Sequence, residues 1–249
     1  GTDQTYGSKT ITLIAHNEQE AVNEVSVTTA GGVTTEYATW AEGLAVANAN
    51  AGCTLTLLRN IDLGTITTTN SITKAMTIDL NGKELRAAVN KASAGLLTLN
   101  AAVEVTIKDS KTGGKIQNIA DLNGALYAIN VGAGATLNVE SGYIYVENQS
   151  QYAYGTSTYT DGTPNISNMQ ARGIHMAATS KVNVSGGKIH AVASCNAFGI
   201  REESSKANNT VLIITGGEII GEAPRYAYGI YAGGKVNISG GTVTALLND

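Results

Sequence analysis

Charge is scarce in this 249-residue chain: Asp, Glu, Lys and Arg make up 14% of it, the net charge is -4, and no basic run occurs. The electrostatic footprint that a phosphate backbone requires is missing, so nucleic acid is not an expected partner. Apolar runs are short. None approaches the roughly 18 residues that span a bilayer, and no membrane insertion is expected. Proline occurs twice against 29 glycines, a balance that fits a turn-rich β protein and not a disordered one. The three histidines have no close spacing and the two cysteines are far apart, which excludes a transition-metal site of the usual form. A serine triad has no signature, and the paired glycines sit at bends instead of between a strand and a helix, so they are not phosphate loops. No cofactor is expected, with structural calcium left open because Asp161-Gly162 or Asp109-Ser110 offers oxygen ligands.

What the chain does have is a repeated phrase: apolar-x-apolar, a small polar residue, one or two glycines, then another apolar residue. It reads Val182-Asn183-Val184-Ser185-Gly186-Gly187-Lys188-Ile189, then Leu212-Ile213-Ile214-Thr215-Gly216-Gly217-Glu218-Ile219, then Val236-Asn237-Ile238-Ser239-Gly240-Gly241-Thr242-Val243. Leu137 to Ile144 is a degenerate copy, and Val105 to Ile116 is another with extra residues at the turn. Self-similarity of this kind means stacked structural units. The second apolar residue of each unit gives Leu57, Ile78, Ile107, Val139, Val184, Ile214 and Ile238, at steps of 21, 29, 32, 45, 30 and 24 residues. Such irregular steps suit a coil whose strands stay fixed while its loops vary.

In that coil each strand pairs in parallel with its equivalent one rung away, and alternate side chains point inward. The marker residues and their partners two positions earlier (Leu55, Met76, Val105, Leu137, Val182, Leu212, Val236) form the inward stacks. A second phrase precedes the later copies: Tyr127-Ala128-Ile129-Asn130, Arg172-Gly173-Ile174-His175, Phe198-Gly199-Ile200-Arg201 and Tyr228-Gly229-Ile230-Tyr231. With its Ile inward, the small residue before it and the variable residue after it face out. Segments around Ile144, Ile189, Ile219 and Val243 supply the remaining strand. Three strands per turn with glycine at the bends predict an all-β fold, a right-handed parallel β-helix of about seven rungs. Cys53 and Cys195 then lie roughly four rungs apart at about 4.8 Å each, beyond the Cα separation of about 7 Å that a disulfide tolerates, so both are expected as free thiols.

Two segments do not repeat. Residues 39–49 carry a capping-box spacing, Thr39 and Glu42, with Trp40, Leu44 and Ala47 on one helical face, and predict a short helix covering the open end of the coil. Residues 1–36 contain strand-like runs, Thr10 to Ile14 and Glu24 to Thr28, and read as part of the cap or as the tail of a preceding module; residues 37–249 form the β-helix. The insertion at 147–170 accounts for the longest step and holds Tyr152, Tyr154 and Tyr159 among small polar residues, a composition and length that point to function or disorder. Gly1 stands where an initiator Met would, which points to a processed segment or a tag remnant upstream. The far end, Leu246-Leu247-Asn248-Asp249, follows a strand directly, so its last rung is expected to be covered by the Tyr-rich loop, by a partner or neighbouring domain, or by further chain.

The run from Tyr37 to Leu85, with Thr39-Trp40-Ala41-Glu42, Thr54-Leu55-Thr56-Leu57-Leu58 and Ile72-Thr73-Lys74-Ala75-Met76-Thr77-Ile78-Asp79-Leu80-Asn81-Gly82-Lys83, resembles the opening of pectate-lyase-like right-handed β-helix modules in surface proteins of gut and other commensal bacteria, and the coils from about residue 90 onward look like the body of that fold. The resemblance implies a secreted or cell-surface bacterial protein. It names no single activity, because such modules include polysaccharide lyases, glycoside hydrolases, adhesins and domains without a ligand. The four motifs of pectin-hydrolase-like enzymes, Asn-x-Asp, Asp-Asp, His-Gly and Arg-x-Lys, are not present. Of the lyase signature only Arg201 is in a suitable place, without the acidic cluster that holds calcium.

The site candidate is the outward column Asn130, His175, Arg201 and Tyr231, whose members sit about 4.8 Å apart on successive rungs, with Glu203 two residues beyond Arg201 on the same face. A His, an Arg, a carboxylate and a Tyr grip a sugar by hydrogen bonds and stacking. As solvated ladder residues they are expected to contribute little to the core. Glu202 and Glu203 point to opposite faces and do not act together on one glycosidic bond. Tyrosine is over-used, 11 against one Phe and one Trp; Tyr143 and Tyr145 share a face, and Tyr152, Tyr154 and Tyr159 add a second candidate surface. The expected function is a non-catalytic module that binds a polysaccharide or other surface glycan. The alternatives are a divergent polysaccharide lyase or glycoside hydrolase on the Arg201 face, and a structural stalk or adhesin segment.

Overall fold

Short strands of alternating polarity cannot hide their apolar face alone, and here they do so by closing into three walls around one core. The computed structural model describes residues 22–150, 169–203 and 209–248 and is a right-handed parallel β-helix. Each turn contributes one strand to each of three sheets. The first runs Cys53–Leu57, Met76–Asp79, Glu104–Lys108, Thr136–Val139, Lys181–Val184, Val211–Ile214 and Lys235–Ile238; the second has seven strands from Ile61–Ile66 to Thr242–Leu247; the third has six from Asn70–Ile72 to Tyr226–Tyr231. The corner between the first and second sheets is the Gly-Gly phrase. Its second glycine takes φ of 76° at Gly187, 82° at Gly217 and 78° at Gly241, a left-handed conformation that side chains resist.

Register confirms the column Val105, Leu137, Val182, Leu212, Val236 and the column Ile107, Val139, Val184, Ile214, Ile238. It corrects the first rung. Cys53 pairs with Met76 and Leu55 with Ile78, so Leu57 stands two residues beyond the position expected for it. A slip of two keeps every side chain on its face, and alternation alone cannot detect it. Neither cysteine forms a disulfide, and both are buried.

The helix Trp40–Ala49 starts at Thr39 with a complete capping box to Glu42 and buries Trp40, Leu44 and Ala47. It finishes the coil by hydrogen bonding as well as by covering it. Trp40 Nε1 donates to Asn70 Oδ1 at 2.9 Å, Asn48 Nδ2 donates to the Ser71 carbonyl, and Asn48 Oδ1 accepts from the Thr73 amide. These contacts stand in for the rung that the third sheet lacks on that side. Strand Val25–Thr28 joins the first sheet antiparallel to Cys53–Leu57, with Thr34–Tyr37 outside it, so residues 25–37 continue the sheet. The run from Thr10 to Ile14 lies outside the described residues.

At the other end the same columns are uncovered. Val236, Ile238 and Val243 are 40–50% exposed, although their equivalents Leu212, Ile214 and Ile219 are sealed. The long insertion is shorter than expected, since Glu147 belongs to strand Tyr143–Asn148 and Gln170 opens strand Gln170–Met176.

Candidate functional site

The third sheet brings together the residues of the predicted column. Asn130, His175, Arg201 and Tyr231 are paired in register on four successive rungs, outside the sealed column Ile129, Ile174 and Ile200. Glu203 follows the strand Asn196–Glu202, donates its amide to the Met176 carbonyl at 2.8 Å and lines the same hollow as Asn130 and His175. Glu202 beside it is wholly buried; its Oε2 accepts from the Gly233 and Gly234 amides at 2.5 and 2.9 Å. The two acids are on opposite sides of the wall. Tyr152, Tyr154 and Tyr159 lie outside the described residues, as does Asp161.

The small residue of the phrase is not on the outer face. A Cβ on Gly173 would stand 2.5 Å from Ile189 Cγ2, one on Gly199 2.6 Å from Ile219 Cγ2, and one on Gly229 2.4 Å from Val243 Cγ1. Those atoms belong to one column of the second sheet, sealed at Ile189 and Ile219 and uncovered at Val243. Two consecutive inward positions break the alternation, as at a bulge, and turn the preceding residue outward. Tyr127, Arg172, Phe198 and Tyr228 therefore share the face with the predicted column. The signal in the sequence was a small residue inside each strand, which marks a bulge or a close backbone approach.

The face holds two adjoining hollows. One, of about 400 Å³, is lined by Tyr127, Asn130, Arg172, His175 and Glu203 among others. The other, about 190 Å³, is lined by Gln170, Asn196, Phe198, Arg201 and the tyrosines 226, 228 and 231. In the first, the His175 ring stacks on Tyr127 at 4.5 Å, and Arg172 Nη1 donates to His175 Nδ1 at 2.9 Å. That nitrogen must carry a lone pair, so the imidazole is neutral. Burial, followed by the Arg172 and Arg201 charges, pushes its pKa down to about 3. His175 and Arg172 are 7% and 9% exposed, so the expectation that His175 is a solvated ladder residue is corrected. In the second hollow Phe198 and Tyr228 stack at 5.1 Å, Tyr231 meets both rings edge-on, and the Arg201 guanidinium lies 4.4 Å from the Phe198 centroid.

No known protein family, curated protein or solved structure matches this chain.

Glu203 is the one carboxylate among the described residues that lines the hollows holding Arg172 and Arg201. Among the described residues no carboxylate lies within 4.0 Å of either Arg172 or Arg201. The second sheet's outer face is the contrast: Tyr145 donates to Glu147 at 2.8 Å, His190 bridges Tyr143 and Glu222, and Lys188 pairs with Glu218. Its polar groups answer one another. At the corner between the first and second sheets, Asp109 accepts the Gly82 amide on Oδ1 at 2.6 Å and the Gly114 amide on Oδ2 at 2.7 Å. Both Asp109 carboxylate oxygens are thus aimed at N–H donors that hold stacked turns together.

Proposed function

We propose that the chain is a secreted or cell-surface module of the pectate-lyase-like β-helix type that binds a glycan and carries out no reaction on it. One observation supports this above others: the half-buried rings of Tyr228 and Tyr231, backed by the buried Phe198 ring, line a surface hollow with the Arg201 guanidinium. Rings offer an apolar surface to a sugar's C–H face, and Arg offers planar donors to its oxygens. Glu203 is the one carboxylate lining either hollow among the described residues, whereas hydrolysis of a glycosidic bond ordinarily takes two. His175, with its pKa near 3, is a poor proton acceptor at neutral pH.

The test is calorimetric titration of the protein with a panel of neutral and acidic oligosaccharides, alongside an absorbance assay for unsaturated products from uronate polymers. Binding without turnover is expected. Tyr231→Ala should weaken it by about three- to tenfold, the worth of one aromatic contact. Turnover of a uronate polymer would establish the lyase alternative instead, and silence across the panel would leave the stalk.

A further inference from the structure

We infer that the Gln170 side chain holds the place of an anionic group, a carboxylate or a sulfate ester, that a ligand brings between Arg172 and Arg201. This rests on reading the third-sheet face as a glycan site and assigns its central contact. Gln170 opens its strand two residues before Arg172, one rung from Arg201. Its Oε1 accepts from Arg172 Nε at 3.2 Å, from Arg172 Nη2 at 2.7 Å and from Arg201 Nη1. A single neutral amide oxygen thus receives N–H groups from two cations. Arg201 Nε is buried and has no hydrogen-bond partner.

Three other cations of this protein are answered by acids, Arg86 by Asp62 at 2.8 Å, Lys108 by Asp79 at 3.6 Å and Lys188 by Glu218 at 3.2 Å, while Lys115, a single ammonium, donates to the amide oxygen of Gln117. Between Arg172 and Arg201 the chain sets an amide. An amide oxygen carries a partial charge and two lone pairs, too little for two guanidiniums and an unanswered Nε–H. A carboxylate or sulfate presents two or three charged oxygens in a plane or tripod, which forked guanidinium donors match. A sugar hydroxyl does not, so a neutral glycan gains little by displacing Gln170. The half-buried Tyr231 ring beside Arg201 lies where the sugar bearing the anion would rest. Burial lowers the pKa of Arg172 to about 10 and also shifts that of Arg201 downward, and a guanidinium stays charged at neutral pH.

The experiment follows the Arg201 Nε–H resonance in ¹⁵N-labelled protein during titration with D-glucuronate, D-glucose 6-sulfate, D-glucose and inorganic sulfate, in wild type, Gln170→Glu and Gln170→Ala. Melting temperatures of all three are measured without ligand. In wild type the two acidic sugars should shift the resonance saturably and glucose should not; whichever acid binds tighter identifies the source as carboxylate or sulfate. Gln170→Glu carries its own carboxylate into the gap, so it should melt higher than wild type and bind the acids at least about tenfold more weakly. Gln170→Ala should melt lower and keep affinity within about threefold, because a place-holder contributes nothing to the complex. A lower melting temperature for Gln170→Glu with undiminished acid binding would overturn the proposal, as would a tenfold loss in Gln170→Ala or equal shifts from glucose and glucuronate. If inorganic sulfate shifts wild type but not Gln170→Glu while every sugar is silent, the anion place stands and the glycan reading falls.

Discussion

At His175 burial and charge act in the same direction, and pH should reveal both. Its pKa of about 3 in the folded protein lies below the ordinary 6.5, so the unfolded chain takes up the proton first. The stability this residue supplies is therefore complete above about pH 6.5 and is lost as pH falls toward 3, at up to about 1.4 kcal/mol per pH unit. Urea unfolding from pH 4 to 8 should show that slope in wild type and a shallower one in His175→Asn, whose Oδ1 can still accept from Arg172. Equal slopes would mean that His175 is not held neutral. A second residue owes its role to its buried place within the strand Lys115–Ala120. Asn118 is fully buried; its Oδ1 accepts the Val89 amide at 3.0 Å and its Nδ2 donates to the Tyr127 carbonyl at 2.8 Å. Asn118→Leu would orphan two buried backbone groups on neighbouring rungs and should cost about 2–5 kcal/mol in the same assay. Neither residue's burial was legible in the sequence, where His175 reads as an outward ladder member and Asn118 as one polar residue among many.

Elements were far more legible than the residues that decorate them. A period of two and a recurring glycine corner specify which side chains a strand buries, and the columns through Val105 and Ile107 follow from that. The capping helix was readable for the same reason, since Thr39 and Glu42 state a local bond that no tertiary contact has to arrange. The first rung was misplaced by two residues because strand alternation is blind to even slips, and the outer face lost half its members because a bulge is a failure of alternation. That bulge makes a sharp prediction. Gly199→Ala would bring a methyl within 2.6 Å of both the Gly229 carbonyl oxygen and Ile219 Cγ2, so the strand must shift, at a cost of about 1–3 kcal/mol. Ala128→Gly, at the equivalent place one end of the phrase over, removes no such clash and should cost only about 0.5–1 kcal/mol through backbone entropy. Denaturant midpoints of the two variants compare them directly, and an equal loss in both would deny that the glycine faces the core.

For the whole molecule, stability is a sum along one axis, each rung resting on the next. Position along that axis then matters more than residue type. Ile214 and Ile238 occupy the same column on adjacent rungs and pair directly, yet Ile214 is sealed and Ile238 is 50% exposed. In Ile214→Asp a carboxylate would lie between Val184 and Ile238 with no partner, costing about 3–5 kcal/mol. The same change at Ile238 leaves the carboxylate in contact with water and should cost under about 1 kcal/mol. Because neighbouring rungs carry the proposed glycan face, the two variants also separate binding from folding. Ile214→Asp loosens the rungs that bear Arg201 and Tyr231, so its loss of stability should come with loss of any glycan affinity and with protease cleavage beyond Val184. Ile238→Asp should melt close to wild type, resist the protease up to Tyr231 and bind normally. Thermal melts and limited proteolysis of the pair decide the matter: equal behaviour would mean that the last rung is covered in solution, or that the column does not run unbroken to it.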